Sequence, residues 1–397
     1  MIKKIFIAIA AAALGFAFGY YVIFYTPIFS LSNSSHYTSP VGTDFKKTEI
    51  IGFMPYWLLS NAKTNYKESL TDIIFFALTI DEDGTILKMN NPNENEPGWF
   101  ALKSGKFDKM INIAKNDRFG LSLSIFSSNN KTIDKIISQP KLHAANLVND
   151  VVPLMKKYGF TSLNLDLEST KDASESDRIN FSLFVNAIKQ GLNRENINSL
   201  SLDISVLDFF RKRIVDPFLI GNIVDKVIIM AYDYHYIGSK VIGPVSPLGG
   251  AGEFLEFDIK TVVEKALEIV PSSKIILGLP LYGYEWETID NNASAAVIPG
   301  TGRMASTFRI QELLASCSSC SVSYRDKSEE ALVVFKDQLS DSYHQIFYPD
   351  VRSLSTKIKF ADEKKLGGIA FWALGYEGDD ILKSAVDYKN NNDFLFP

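Results

Sequence analysis

The chain has 397 residues, 46% hydrophobic and 22% charged, with a net charge of −5. That composition excludes disorder over most of the length, and the mild acidity argues against nucleic acid as a partner. Two cysteines and four histidines are too few for a disulfide-built scaffold or a His-rich metal centre, so neither metal nor cofactor is expected.

Residues 5–29 follow Lys3 and Lys4 and carry no charge. As a helix this run would reach ~37 Å, against a hydrocarbon core of ~30 Å. The apolar region of a cleaved signal peptide usually covers only about 7–15 residues. A membrane anchor over 1–29 is therefore expected, with a cleaved signal segment as the alternative. The lysines put the short N-terminus in the cytoplasm and the remainder outside, at the cell surface, or secreted if the segment is cut. Residues 30–47, rich in Ser, Thr, Asn and Pro, read as a linker.

From residue 49 onward, eight β-rich apolar runs recur at 50–55, 73–80, 121–126, 162–167, 201–206, 227–232, 274–280 and 367–372. Helix-like segments alternate with them at 106–117, 142–158, 176–191 and 258–270, several with apolar residues at helical spacing. Gly120, Gly159 and Gly191 are expected as helix caps. Eight strands alternating with helices predict an α/β fold, a (β/α)8 TIM barrel over 48–397. No glycine-rich phosphate loop follows the first run, as a doubly wound sheet would want. The interval between runs seven and eight is too long for one helix, and a small α+β insertion is expected at about 287–350.

The fourth run carries the chemistry. Period-two alternation puts Leu163, Leu165 and Leu167 on one face and Asn164, Asp166 and Glu168 on the other. Inward acids in a barrel need partners or a task, and these climb toward the end where barrel enzymes place their sites. Like charges two residues apart raise each other's pKa. Glu168, nearest the rim, is the expected general acid, and Asp166 would orient it or the substrate. Two carboxylates on one strand cannot flank a glycosidic bond, so they suit a substrate that supplies its own nucleophile, as an N-acetyl group can.

This run resembles the strand-four signature of family 18 glycoside hydrolases, the chitinase-type barrels: Asp-Gly-x-Asp-x-Asp-x-Glu. Asn164, Asp166 and Glu168 fall on its last three polar positions, while Thr161 and Ser162 replace its Asp-Gly and Asn164 its first inner Asp. The resemblance extends to Gly52-Phe-Met-Pro-Tyr-Trp57, to Phe75-Phe-Ala-Leu78, to Leu123-Ser-Ile125, to Met230-Ala-Tyr-Asp233 and to Gly368-Ile-Ala-Phe-Trp372. It implies that Glu168 is the acid/base, that Asp166 and Tyr232 hold the acetamido group, that Asp233 lines the sugar subsite and that Trp372 floors the pocket. Gly243-Pro-Val-Ser-Pro-Leu248 and Gly278-Leu-Pro-Leu-Tyr-Gly-Tyr-Glu-Trp286 are similar to the spore-germination and cortex-lysing N-acetylglucosaminidase branch. That implies an N-acetylglucosamine-containing polysaccharide as substrate, cleaved at β-1,4 links with retention. The alternative is a chitinase-like lectin that binds glycan without cutting it.

Aromatic rings stack on sugar faces. Tyr56, Trp57, Tyr282 and Trp286, at or past strand ends, join Asn164, Asp233 and Trp372 as expected substrate contacts, with Asp208 a further candidate. His235 is expected to be structural. Cys317 and Cys320 are expected to form a small-loop disulfide, with free thiols or a redox pair as alternatives. Residues 90–96 read as a solvated loop.

Overall fold

The computed structural model describes residues 48–393 apart from 64, 253–254 and 338–340. The expected membrane anchor (1–29) and the linker (30–47) lie outside the described residues. Among the described residues no helix is long and apolar enough to cross a membrane.

Eight parallel strands close into a barrel: β1 (Glu49–Pro55), β2 (Asp72–Thr79), β3 (Gly120–Ser127), β4 (Ser162–Leu167), β5 (Ser199–Ser205), β6 (Lys226–Met230), β7 (Ile275–Pro280) and β8 (Gly368–Trp372). Each pairs with its neighbours in sequence, and β8 pairs with β1. Alternation along the strands makes two layers. One set, including Phe75, Leu163, Leu165 and Ile229, packs outward under the helices. The other, including Phe53, Ile74, Phe76, Ile228 and Ala370, fills the barrel interior on the side of β1, β2, β6, β7 and β8. On β3, β4 and β5 the deeper interior positions are polar and several bond one another, as the Ser122 and Ser162 hydroxyls do, while Phe126 near the mouth of β3 joins the apolar set.

The helices start and stop where side chains or glycine can satisfy the orphan backbone groups. Asn129 caps Asn130–Ser138, and Ser174 with Asp177 forms a capping box on Glu175–Arg194. Gly159 closes Pro140–Tyr158 in the left-handed conformation, φ 84°. The other two expected caps are corrected. Gly120 lies in β3, and Arg118 is the left-handed residue after Asp108–Asp117. Gly191 sits inside Glu175–Arg194, where a Cβ would press on Val148 of the neighbouring helix. Its smallness serves helix packing.

Between β7 and β8 the chain builds a five-stranded antiparallel sheet. Its order is Arg303–Ser306, Tyr282–Thr288, Tyr343–Tyr348, Glu330–Lys336, Ser321–Arg325, with helix Thr307–Ser316 in the crossover. The sheet begins at Tyr282, immediately after β7, ahead of residue 287. Cys317 and Cys320 form a disulfide at the end of that helix.

Candidate active site

The carboxyl ends of the strands open into a cleft of about 460 Å³. Asp166 and Glu168 rise from β4 on one side. Tyr232 and Asp233 stand just past β6, and Tyr56, Trp57, Phe76 and Trp372 form an aromatic wall from the ends of β1, β2 and β8. Trp372 meets Phe76 edge-on at 4.6 Å between centroids and Phe53 at 5.7 Å, and Trp57 stands 6.4 Å from Trp372. Trp57 is 47% exposed, so it offers a hydrophobic face that a sugar can cover.

The acids are crowded together. Asp166 is buried, and its Oδ1 has no hydrogen-bond partner. Burial, then the nearby Asp203 and Glu168, push its carboxyl well above the usual range. Glu168 is open to the cleft, yet protein crowds it closely enough that desolvation, helped by the Asp233 charge, raises its carboxyl too. A raised glutamic acid keeps a proton to donate nearer neutral pH. Tyr232 is held far above an ordinary phenol by burial and by the surrounding Asp203, Asp166, Glu168 and Asp233, so it stays a hydroxyl donor.

Asp233 occupies the left-handed backbone region at φ 58°, which aspartate tolerates better than most residues. Its Oδ1 accepts hydrogen bonds from the Tyr282 and Tyr284 hydroxyls, the latter at 3.0 Å. Tyr282 was expected to touch substrate. It is buried at 3% exposure and does not line the cleft, so it positions Asp233 instead. Tyr282→Phe removes a hydrogen bond to a carboxylate and is expected to lower kcat/KM about tenfold. Steady-state kinetics on a glycan substrate check this, and an unchanged value would show that Asp233 holds its place unaided.

Three further expectations are corrected. Trp286 is wholly buried in the insertion's own core, its Nε1 donating to the Tyr236 carbonyl at 3.3 Å. It walls no cleft, because the chain turns directly from β7 into a sheet that needs an apolar centre. Asn164 is fully buried one layer below Asp166 and does not line the cleft. It accepts from Ser124 Oγ at 2.7 Å and donates to Ser201 Oγ and to Asp203 Oδ1, at 3.1 and 2.8 Å. Asp208 is buried in a capping box after β5, accepting from the Ser205 N–H at 3.0 Å, and is also absent from the cleft lining. His235 stands outside it too, its Nδ1 2.9 Å from the Pro244 carbonyl oxygen.

Burial pushes Asp208 up to about 7. Its unfolded value is about 3.9, so the folded chain holds the proton more tightly. The stability this contributes is complete below about pH 4 and is lost as pH rises toward about 7. Asp208→Asn is therefore expected to unfold at higher urea than the parent at pH 8, with the gain vanishing near pH 4. A gain independent of pH would contradict the assignment.

Two residues of the site escaped sequence reasoning. Asp203, on β5, is buried and electrostatically tied to Glu168 and Asp166. The signal was present in the alternation of Ser201, Asp203 and Ser205. Glu96, placed in a solvated loop, is 4% exposed and lines the cleft. It caps helix Pro97–Lys103, accepting from the Trp99 N–H at 2.6 Å and from the Thr79 hydroxyl at 3.1 Å. A Cβ at Gly98 would collide with the Ala77 carbonyl oxygen, so only glycine lets this helix approach β2 so closely.

The cleft, with its acids and aromatic walls, lies at the carboxyl end of the (β/α)8 barrel, where barrel enzymes place their sites. The family model for glycosyl hydrolases family 18 matches residues 49–377, and the chain belongs to that family. It is 26% identical over 249 residues to the cortical fragment-lytic enzyme of Bacillus subtilis (strain 168), covering 61% of this chain and 53% of that one. The match thus spans about half of that relative's length. In three dimensions the chain is similar to the Bacillus megaterium QM B1551 spore cortex-lytic enzyme SleL, with a TM-score of 0.68 at 21% identity, covering 87% of this chain and 74% of that one. It is also similar to the Ostrinia furnacalis Group IV chitinase in complex with allosamidin, with a TM-score of 0.74 at 15% identity, covering 87% of this chain and all of that one.

Proposed function

We propose that this chain hydrolyses β-1,4 links next to N-acetylglucosamine in peptidoglycan or chitin-like glycans, with retention and with the substrate's acetamido group as nucleophile. The observation that carries the reading is Asp166: a buried carboxyl at the cleft, beside Glu168, with an acceptor oxygen that no protein group satisfies. A buried acceptor without a partner is costly, and an acetamido N–H is a donor of the right kind.

In this mechanism Glu168 gives its proton to the glycosidic oxygen as the bond to the anomeric carbon breaks. The acetamido oxygen attacks that carbon from the opposite face, giving an oxazolinium ion. Asp166 holds the N–H, and the Tyr232 hydroxyl steadies the acetamido group. Glu168, now a carboxylate, takes a proton from the water that opens the ring, which restores the acid and the original anomeric configuration. Trp372 and Trp57 supply apolar faces for the sugars. The names of the cortex-lytic and chitinase relatives support the substrate class.

Digestion of purified peptidoglycan and of chitin, with products identified by mass, tests this reading. Release of fragments ending in N-acetylglucosamine is expected. Binding to these glycans without cleavage would favour a lectin-like protein instead.

The apolar run over 5–29 supports a second proposal, that an N-terminal anchor and the linker over 30–47 hold the barrel outside the membrane. The intact chain should then sediment with membranes and be shaved from the outer face by protease. A chain recovered wholly in the soluble fraction, uncut, would overturn it.

A further inference from the structure

The register of β4 against β5 pairs Asn164 with Ser201 and Leu165 with Leu202. The ladder ends there; continued by one residue, the same register would bring Asp166 level with Asp203, and the Asp203 charge is near enough to raise the Asp166 carboxyl. Both side chains point into the barrel, both are buried, and neighbouring strands lie only about 4.8 Å apart. Asn164 sits beneath them and donates to Asp203 Oδ1 at 2.8 Å, while Asp166 Oδ1 accepts nothing. No Lys, Arg or His lines the cleft among the described residues. The groups facing the two aspartates are Glu168 above, Tyr232 and Asp233 from the end of β6, Asn164 and Ser124 below, and Asp208 behind Glu168, itself balanced by Arg213 and Arg178. Two buried carboxylates on adjacent strands, with no basic side chain lining the cleft, ionise together only at high cost.

We propose that Asp203 is a positioning residue of this site, which shares one proton with Asp166 and is oriented for that by the Asn164 amide. The pair then carries a single negative charge. Glu168, two residues further along β4, faces one charge instead of two and keeps its proton where general-acid work requires it. The Asn164 bond anchors the ionised oxygen of Asp203, leaving the proton on the side of Asp166. Burial holds both carboxyls well above the usual range; the charges of Asp203 and Glu168 add to it at Asp166, and that of Glu168 at Asp203, against the Asn164 hydrogen bond that lowers Asp203.

The kinetic part of this inference rests on the glycosidase reading; the titration part does not. Infrared titration of the parent chain and of Asp203→Asn follows the protonated-carboxyl band between pH 4 and pH 9. The last proton of the pair is expected to leave the parent at a pH at least one unit above that at which it leaves the variant. On a glycan substrate, Asp203→Asn should lose roughly 10–100-fold in kcat, with KM within about threefold; the single charge moves from Asp203 onto Asp166, two residues from Glu168 on the same strand, so the alkaline limb of the kcat profile should move to higher pH. The double variant Asn164→Asp with Asp203→Asn exchanges the two side chains and keeps their hydrogen bond. It should return the titration, the limb and much of the kcat toward the parent.

Superimposable infrared titrations of parent and Asp203→Asn would overturn the proposal whether or not the chain cleaves glycan. So would a variant with parental kcat and pH profile, or a kcat loss with no change in limb and no recovery in the exchanged pair. If Asp203→Asn does not fold, the exchanged pair measured against the parent decides: a shared proton gives similar titrations, and its absence there refutes the sharing. A parent that titrates as expected but cleaves no glycan would count against the proposed function alone.

Discussion

Glu168→Gln is expected to lower kcat by roughly 10²–10⁴-fold, the usual worth of a general acid–base group, while leaving the unfolding transition where it is. The glutamine keeps the shape of the side chain and removes only the proton that leaves. Glu168 is open to the cleft and is not part of the packed interior, so no core contact is lost. Because Glu168 contributes to raising Asp166, Asp203 and Tyr232, removing its charge should ease the ionisation of its neighbours and leave the fold slightly more stable if anything. Substrate affinity should change little. Kinetics and thermal unfolding of the same preparation check both halves. A variant with parental turnover, or one that loses activity only by unfolding, would remove Glu168 from the chemistry.

The second large effect is on stability. Lys357, on helix Val351–Glu363, and Glu330, at the start of strand Glu330–Lys336, are both completely buried and bonded at 3.0 Å. Glu330 also accepts from the Val245 and Ser246 N–H groups, at 2.8 and 2.7 Å, and Ser246 Oγ donates to the Ala231 carbonyl. One ion pair therefore ties the helix, the insertion and the loop that carries Tyr232 and Asp233. Lys357→Met fills the same space but leaves the Glu330 charge buried without its cation. Breaking a buried pair in this way costs about 3–5 kcal/mol. Urea unfolding is expected to shift to lower denaturant by that amount, and Lys357→Met combined with Glu330→Gln should recover part of it by removing the stranded charge. A single variant as stable as the parent would mean that the pair is not buried as described.

The barrel was legible because each strand announces itself locally, as a short β-rich run between helix-like segments, and because β4 exposes its alternation in three leucines against Asn164, Asp166 and Glu168. Depth was not legible. Asn164 and Asp166 share a face, but two residues along a strand put Asn164 about 6.6 Å deeper, enough to turn a substrate contact into a support for Asp203. Asp203 was overlooked because a single acid among serines and leucines looks ordinary until the fold buries it on the strand next to Asp166, bonded to Asn164. Tyr282 and Trp286 follow β7 just as Trp372 ends β8. Their fates differ because the chain enters a second sheet at Tyr282, which buries both. Glu96 depends on a glycine two residues later fitting beneath a carbonyl of β2, a contact that no local pattern encodes.

The central claim is that Glu168 and Asp166 act together on an acetamido group of the substrate. Proton NMR of a fresh digest, recorded before mutarotation and run beside the same oligosaccharide stripped of its acetyl groups, tests it most directly. The account predicts that the β-anomer appears first from the N-acetylated chain and that the deacetylated chain is left intact. The α-anomer appearing first, or equal cleavage of both chains, would contradict it.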